Sequence, residues 1–308
     1  MSTVGAPTRR PKLPDARHLH PSGSAPKSSF QQGLASLVAD RSAMIGLIVL
    51  LIAVGAAIFA PWIAPYDPNA GEGAAILAPP LSPGHLLGAD QQGRDILSRI
   101  LFGARLAFPE AMIPVAAAAI AGTILGLLGG FFKGIVGEII MRSLDVLFAI
   151  PMVLLAIAIA TTLGSGLPTV ILSMAVVITP YIARVVATTT AQIRSAPFVD
   201  AARCAGFSEW RILRREILPH VIPSVVVYGT TNMGAMVVFA AGFGFLGLGA
   251  PPPAADWGAM ISDGMKSLGS APWVSTMPGI AIVAVSLAFN YLGDGLRVAL
   301  DPRLRNRR

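Results

Sequence analysis

The uncharged stretch MIGLIVLLIAVGAAIFAPWIA, from Met44 to Ala64, decides the fold class of this chain. A helix needs about 20 apolar residues to cross the roughly 30 Å hydrocarbon core of a bilayer, and this stretch is long enough. Pro61 and Trp62 mark its far end. The stretch therefore predicts a first transmembrane helix.

The composition of the whole chain agrees with a membrane protein. Of its 308 residues, 54% are hydrophobic and only 13% are charged, and the mean hydropathy is +0.68. A soluble domain carries about 25% charged residues. The apolar residues also occur in blocks rather than with the period of an amphipathic element. We therefore predict an all-α integral membrane protein.

Further apolar stretches follow the first, and most are separated by charged links. No charge occurs between Asp145 and Arg184, which is too long a run for one helix, and the turn residues 164–168 divide it. The chain is thus predicted to have six transmembrane helices. They are residues 44–64, 106–131, 140–163, 169–188, 222–243 and 274–292.

The basic residues, which give a net charge of +7, indicate the orientation. A nucleic-acid-binding protein would carry them along a soluble face, whereas here they flank apolar spans, so no nucleic-acid partner is expected. Cytoplasmic loops are enriched in Lys and Arg, which places both termini, the 133–142 link and the 194–215 stretch in the cytoplasm. The 66–105 and 244–273 segments then face outward.

Four regions follow from these patterns. Residues 1–40 are expected to be a disordered, basic cytoplasmic tail that also contacts membrane lipid. Residues 41–105 hold the first span and an outward segment. Residues 106–298 form a core of five spans, and residues 299–308 form a basic cytoplasmic tail.

The charged segment 194–219 interrupts the core. It holds eight charged residues between Arg194 and Glu216. At about 2.5–3.5 kcal/mol for each charge at the bilayer centre, inserting it would cost roughly 20 kcal/mol. The segment must therefore lie outside the membrane, in the cytosol.

The residues of this segment suggest a docking element. Asp200 is predicted to cap a helix whose small residues Ala201, Ala202 and Ala205 form a smooth face. Gly206 permits a sharp turn, and Pro219 is predicted to end a second, basic helix. Small residues of this kind allow a partner to approach the backbone closely.

The segment resembles the EAA motif of binding-protein-dependent ABC importer permeases, a Glu-Ala-Ala triplet followed by a Gly and later by Leu-Pro. Asp200 replaces the usual Glu, and Glu216 departs from the general pattern. The resemblance implies a coupling helix that sits in a cleft of an ATPase subunit, with Asp200 paired to a basic residue there and the bend set by Gly206. The ATPase-coupling residues it implies are Asp200, Ala201, Ala202, Arg203, Gly206, Leu218 and Pro219.

Three further stretches resemble the C-subunit class of dipeptide, oligopeptide and nickel permeases. They are residues 85–105, which begin HLLGADQQGRDILSR, residues 245–264, and the C-terminal GDGLR and LDPR at 293–303. The two outward stretches become candidates for an outer gate or for contact with a binding protein. Their candidate residues are Asp90, Arg94, Asp95, Trp257 and Asp263.

Several kinds of chemistry have no visible motif. The phosphate-binding pattern Gly-x-x-x-x-Gly-Lys-Ser/Thr does not occur, so ATP and magnesium are expected on partner ATPase subunits and no enzyme activity on this chain. Cys204 is the sole cysteine, and the four histidines lack metal-ligand spacing. No directly bound cofactor and no metal site are expected.

Two rival functions lack the residues they need. An ion-coupled transporter keeps ionisable groups near the midplane, but Glu110 lies near an outer span end and is expected in the headgroup region or against a neighbouring subunit. Arg184 and Asp145 are placed near cytoplasmic ends, where they can snorkel. An intramembrane enzyme would need a catalytic constellation within the spans, and none is visible.

The resemblance thus implies the type I ABC importer permease (MetI-like) fold in the cell membrane, working by alternating access. The expected partners are a homologous second permease subunit, two ATPase domains and an extracytoplasmic substrate-binding protein. Di- or oligopeptides are the expected cargo. Nickel or another small solute is the alternative.

Overall fold

The computed structural model describes residues 35–132 and 134–300. Within these residues the chain is mostly helical, and its only β-type pairings are isolated bridges in the outward segment. Most of the predicted N-terminal tail, Lys133 and residues 301–308 lie outside the described residues, so the predictions made for the two tails concern parts that the structure does not describe.

The main helices follow one another with short connections, except for two longer segments at residues 64–95 and 246–256. They are α1 Arg41–Ile63, α2 Ile96–Phe131, α3 Ile135–Phe148, α4 Met152–Leu163, α5 Leu167–Arg194, α6 Pro197–Cys204, α7 Glu209–Phe245, α8 Trp257–Gly264 and α9 Trp273–Leu300.

Five of these helices, α1, α2, α5, α7 and α9, are long and apolar enough to cross a membrane. They correspond to five of the six predicted spans, and all five helices begin before the predicted span does. The helix α2 begins at Ile96 rather than at residue 106, because the Asp95 carboxylate accepts the backbone N–H of Ser98 and caps the helix there. Helices continue beyond the hydrocarbon core, so a charged residue ends a span without ending the helix.

The third predicted span is not one helix. The helices α3 and α4 meet at an angle of 86° around Pro151, and neither is long enough to cross about 30 Å alone. Proline has no N–H to donate and disfavours helical geometry at the residue before it, which explains the break. The prediction of a single helix over residues 140–163 is therefore wrong. The bent pair of α3 and α4 is the sixth apolar unit of the fold, beside the five long helices.

The helix α7 runs through Pro219, where the sequence predicted an end. A π-helical turn, Leu213–Ile217, precedes the proline, and the N–H of Leu218 donates to the carbonyl of Leu213. Such a turn shifts the hydrogen-bond register by one residue, which lets the helix accommodate a residue without an N–H. The segment after Glu209 is thus one continuous element with the span that follows it.

The helices α2 and α5 cross in close backbone contact. Gly126 and Gly130, one turn apart on α2, face the backbone of α5. A Cβ atom on Gly126 would lie 2.4 Å from the carbonyl oxygen of Ala183, and one on Gly130 would lie 2.4 Å from that of Ala187. Small residues at this spacing let two membrane helices pack backbone against backbone. This contact fixes the position of α5, which leads into the charged segment.

Candidate functional site

The segment 194–219, called the coupling segment below, is short and tightly folded. The helix α6 begins at Pro197, whose fixed φ and missing N–H suit a first helical position. Asp200 lies in the first turn of α6 and does not cap it; the N-cap is Ala196, which makes no side-chain bond. The capping role predicted for Asp200 is therefore wrong, although an acid in a first turn still favours the helix dipole.

Gly206 makes the turn that the sequence predicts. It has a φ of +80°, a left-handed conformation that glycine adopts without strain. Its N–H donates to the carbonyl of Arg203 over 2.9 Å, and the N–H of Phe207 donates to that of Ala202 over 3.1 Å. These two bonds are the Schellman pattern that closes a helix C-terminus. Ser208 then caps α7 by accepting the N–H of Arg211.

One face of α6 is open and one is packed. Ala201, Cys204 and Ala205 are exposed, whereas Val199 and Ala202 are buried against the rest of the chain. The predicted small face therefore exists, but Ala202 is not part of it. Leu218 is half-buried and Pro219 is exposed at the far end of the segment.

Arg203 holds the charges of the segment together. Its Nη1 lies 3.1 Å from Oδ1 of Asp200, and its Nε lies 3.1 Å from Oε1 of Glu209. The hydrogen bond with Glu209 raises the pKa of the Arg203 guanidinium. The Asp200 side chain stays 68% exposed in spite of its bond, so it is available to a partner.

A cleft opens beside these residues, with a volume of about 530 Å³. Its lining includes Asp200, Arg203 and Glu209 on one side, and Phe131 and Arg194 on the other. Arg194 donates from Nη1 to the carbonyl of Phe131 over 2.7 Å, which ties the end of α5 to the end of α2. Sequence reasoning missed this cleft, because nothing in the pattern brings residue 131 next to residue 194.

The outward candidates Asp90 and Arg94 form a buried ion pair. The Asp90 carboxylate accepts Nε of Arg94 over 2.7 Å and the backbone N–H groups of Gln92 and Arg94. Arg99 lies next to the pair and donates to the carbonyls of Pro68, Pro253 and Ala254, at distances of 2.8 to 3.5 Å. This cluster fastens both outward segments to the start of α2.

Asp95 and Trp257 are also enclosed. Asp95 caps α2 and accepts from His85, whose Nδ1 lies 3.0 Å from its Oδ1. The indole Nε1 of Trp257 donates to the carbonyl of Ile100 over 3.1 Å. Of the five outward candidates only Asp263 is exposed, paired with Lys266. Burial of the other four supports a structural role in holding the outward segments, and contact with a binding protein stays a prediction.

Glu110 is buried within its own chain, so the prediction that it faces headgroups or a neighbouring subunit is wrong. It is buried between α2 and α7, in a small cavity that it shares with Asp256 and Trp257, and its Oε1 has no hydrogen-bond partner among the described residues. Asp256 caps α8 by accepting the N–H groups of Gly258 and Ala259. Burial raises the pKa of the Asp256 carboxyl, against the effect of these bonds.

Arg184 and Asp145 form an ion pair with each other. The sequence placed both near cytoplasmic helix ends, but α5 continues to Arg194, about 15 Å beyond Arg184 at 1.5 Å per residue. Arg184 therefore lies well before the end of α5, and the snorkelling expected of both side chains stays a prediction.

Comparison with protein families gives two matches. Residues 122–306 match the family described as binding-protein-dependent transport system inner membrane component. Residues 28–80 match the N-terminal transmembrane domain of oligopeptide transport permease C. The two matches follow the order of the first span and the core.

Similar proteins of known name cover nearly the whole chain. The glutathione transport system permease protein GsiD of Pectobacterium atrosepticum is 42% identical, over 85% of this chain and 86% of that protein. The di/tripeptide transport system permease protein DppC of Pseudomonas aeruginosa is 38% identical, over 92% and 94%. The dipeptide transport system permease protein DppC of Haemophilus influenzae is 37% identical, over 91% and 97%.

A solved structure shares the fold. An inward-facing conformation of the MetNI methionine ABC transporter superposes with a TM-score of 0.54 and covers 66% of this chain and 96% of that one. At 19% sequence identity this likeness concerns the fold alone, and it confirms the predicted type I importer permease fold. With the family match over more than half of its length, the chain belongs to the inner-membrane components of binding-protein-dependent transport systems.

Proposed function

We propose that this permease carries small peptides across the cell membrane and is driven by two separate ATPase domains that bind its coupling segment. The cargo is supported by the relatives, whose names refer to glutathione, dipeptides and tripeptides. The observation that carries the coupling is the open face of α6. It offers Ala201, Cys204 and Ala205, with the exposed Asp200 carboxylate beside them.

The connections of the coupling segment suit the transmission of motion. On one side, the bond from Arg194 to the carbonyl of Phe131 joins it to the crossing of α2 and α5. On the other side, α7 continues from Glu209 to Phe245 without a break. A displacement of α6 by an ATPase would therefore move two spans as rigid bodies, which is what alternating access requires.

The remaining partners follow from the same assignment. A homologous second permease subunit would complete the path, and an extracytoplasmic binding protein would deliver the cargo. The large apolar side chains on the outside of α1, such as Leu51 and Ile52, support contact with lipid or with that subunit. ATP and magnesium would bind the ATPase domains, hydrolysis would occur there, and both termini of this chain would be cytoplasmic.

Transport by the reconstituted complex tests the proposal. The permease pair, its ATPase and its binding protein are placed in liposomes, and uptake of a labelled dipeptide, glutathione and Ni²⁺ is followed with and without ATP. We expect ATP-dependent uptake of a peptide. Uptake of Ni²⁺ without peptide would contradict the proposed cargo, and peptide uptake without any ATPase would contradict the proposed coupling.

A further inference from the structure

A charged and aromatic cluster lies where α3, α4 and α5 meet. Arg184 on α5 pairs with Asp145 on α3, and its guanidinium carbon lies 4.5 Å from the centre of the Phe148 ring. Phe148 in turn packs edge-on against Tyr181, with ring centres 4.7 Å apart. The two charged side chains remain 53% and 49% exposed. The cluster is therefore a surface of the chain, not part of its core.

The position of the cluster along α5 argues against lipid as the medium that covers it. Arg184 is about 15 Å from the Arg194 end of α5 and about 25 Å from the Leu167 end. A hydrocarbon core of roughly 30 Å that begins at the Leu167 end of α5 extends past Arg184 and so includes its ion pair with Asp145. Ionised groups at such depth face the interior of a bundle or a water-filled cavity, because hydrocarbon cannot solvate them.

In the same half of the membrane, the side chains that surround the cluster on α5 and α7 are polar. Along α5, Thr188 and Gln192 follow Arg184 at helical spacing and are also exposed. On α7, Ser224, Tyr228 and Thr231 line a cavity of about 730 Å³. Val185, next to Arg184 on α5, lines the same cavity, so the polar face of α7 adjoins this part of α5.

The bend between α3 and α4 lies next to the cluster, only a few residues beyond Phe148. A broken helix leaves backbone groups unpaired, which is tolerated at membrane depth only where they line a cavity or are covered by protein. In many transporters, discontinuous transmembrane helices form the cargo site. The break, the ion pair and the polar faces therefore indicate the same place.

We propose that Arg184 and Asp145 are the element of the transport path that recognises the two charged ends of a peptide. The guanidinium would bind the terminal carboxylate, for which its planar fork is suited, and the Asp145 carboxylate would bind the terminal amino group. The internal ion pair is then exchanged for two pairs with the cargo, so neither charge is left unpaired during passage. This inference rests on the proposed function.

Accessibility and protection test the proposal in the assembled complex. Cys204, the sole cysteine, is replaced by Ala, and Thr188→Cys is introduced one turn from Arg184. Inside-out membrane vesicles are treated with a positively charged, water-soluble thiosulfonate reagent, and labelling of this chain is followed by mass spectrometry. Val283→Cys, an exposed apolar position near the middle of α9, is the matched control. We expect rapid labelling at residue 188 and at least tenfold slower labelling at residue 283.

The peptide ends are then tested with Ala-Ala and with Ala-Ala amide, each at millimolar concentration. We expect the free dipeptide to slow the labelling at residue 188 at a concentration at least tenfold lower than the amide does. Arg184→Gln should abolish this difference, and Arg184→Lys should keep part of it. A merely structural ion pair would produce no such preference.

Equal labelling at residues 188 and 283, no protection by either peptide, or equal protection by both in the wild type would overturn the inference. The proposed function is distinguished by the separate import assay with the wild-type complex. If the complex imports a dipeptide but Ala-Ala protects residue 188 no better than Ala-Ala amide does, this inference alone is wrong. If the complex imports no peptide at all, the proposed function is wrong.

Discussion

The backbone N–H of Gly206 donates to the carbonyl of Arg203 over 2.9 Å, and this bond, made at a φ of +80°, ends α6 and turns the chain toward α7. Four residues separate Cys204, at the end of α6, from Glu209, at the start of α7. The turn therefore decides how the open face of α6 is presented relative to the span that follows it.

The transport activity of Gly206 variants should depend on how well the new residue tolerates a left-handed backbone conformation. A Cβ atom there would meet nothing within 4 Å, so the strain is conformational and amounts to about 1–2 kcal/mol for most residues. We expect ATP-driven uptake to fall in the order wild type, Gly206→Asn, Gly206→Ala and Gly206→Val, because Asn tolerates this conformation best and Val least. Membrane amounts should stay similar. A Val variant as active as the wild type would show that the turn has no part in coupling.

The charge of Asp200 should matter for coupling and not for folding. Its side chain is mostly exposed, so Asp200→Asn should leave the amount of protein in the membrane unchanged while lowering ATP-driven uptake about tenfold, which corresponds to about 1.4 kcal/mol. Asp200→Glu should retain most of the uptake. Glu138→Gln is the control, since Glu138 is an exposed, ion-paired acid outside the coupling segment. Equal losses in the Asn variant and in this control would argue against a specific role.

Arg99 should be essential for holding the outward segments. It is buried and donates to carbonyls of both segments, so Arg99→Gln removes a buried charge and leaves several acceptors unpaired. We expect a loss of about 3–5 kcal/mol in the free energy of unfolding, measured by chemical denaturation of the chain in detergent. Arg105→Gln, an exposed arginine on the same helix, should change it by less than about 0.5 kcal/mol. Similar effects of the two substitutions would contradict the structural role assigned to Arg99.

Two nearby glycines on α7 should respond oppositely to alanine. A Cβ atom on Gly244 would lie 2.1 Å from Oδ1 of Asp256, whereas one on Gly242 would meet nothing within 4 Å. Gly244→Ala must displace the Asp256 cap of α8 and should cost about 1–3 kcal/mol in the free energy of unfolding. Gly242→Ala should be neutral or stabilise the helix by up to about 1 kcal/mol. Thermal unfolding of the two variants side by side distinguishes these results.

The sequence predicts the membrane class and five of the helices. In hydrocarbon, every backbone N–H and C=O group must be hydrogen-bonded within the protein, so a long uncharged stretch has few alternatives to a helix. Prediction from the sequence fails where the local backbone geometry, rather than hydropathy, decides whether a helix continues. Pro151 breaks an apolar run that looks continuous, whereas Pro219 is absorbed by a π-helical turn and breaks nothing. Hydropathy does not distinguish these two prolines.

The coupling segment is largely predictable because its features are local in sequence. The turn at Gly206 and the small face of α6 follow from neighbouring residues, although Pro197 rather than Asp200 determines where that helix begins. The pairing of Arg184 with Asp145 spans 39 positions and depends on the crossing of packed helices. Such long-range contacts are set by tertiary packing, and no pattern within one segment indicates them.

Cross-linking at Cys204 tests most directly whether an ATPase binds the coupling segment from the cytoplasmic side. Cys204 is exposed on the open face of α6 and is the sole cysteine of the chain, so a thiol-directed photo-cross-linker attaches at one defined site. In the assembled complex we expect the cross-link to join this chain to the ATPase. In whole cells, reagents confined to the outer side should not react with Cys204. Labelling of Cys204 from the outside alone, with no product that contains the ATPase, would contradict the account.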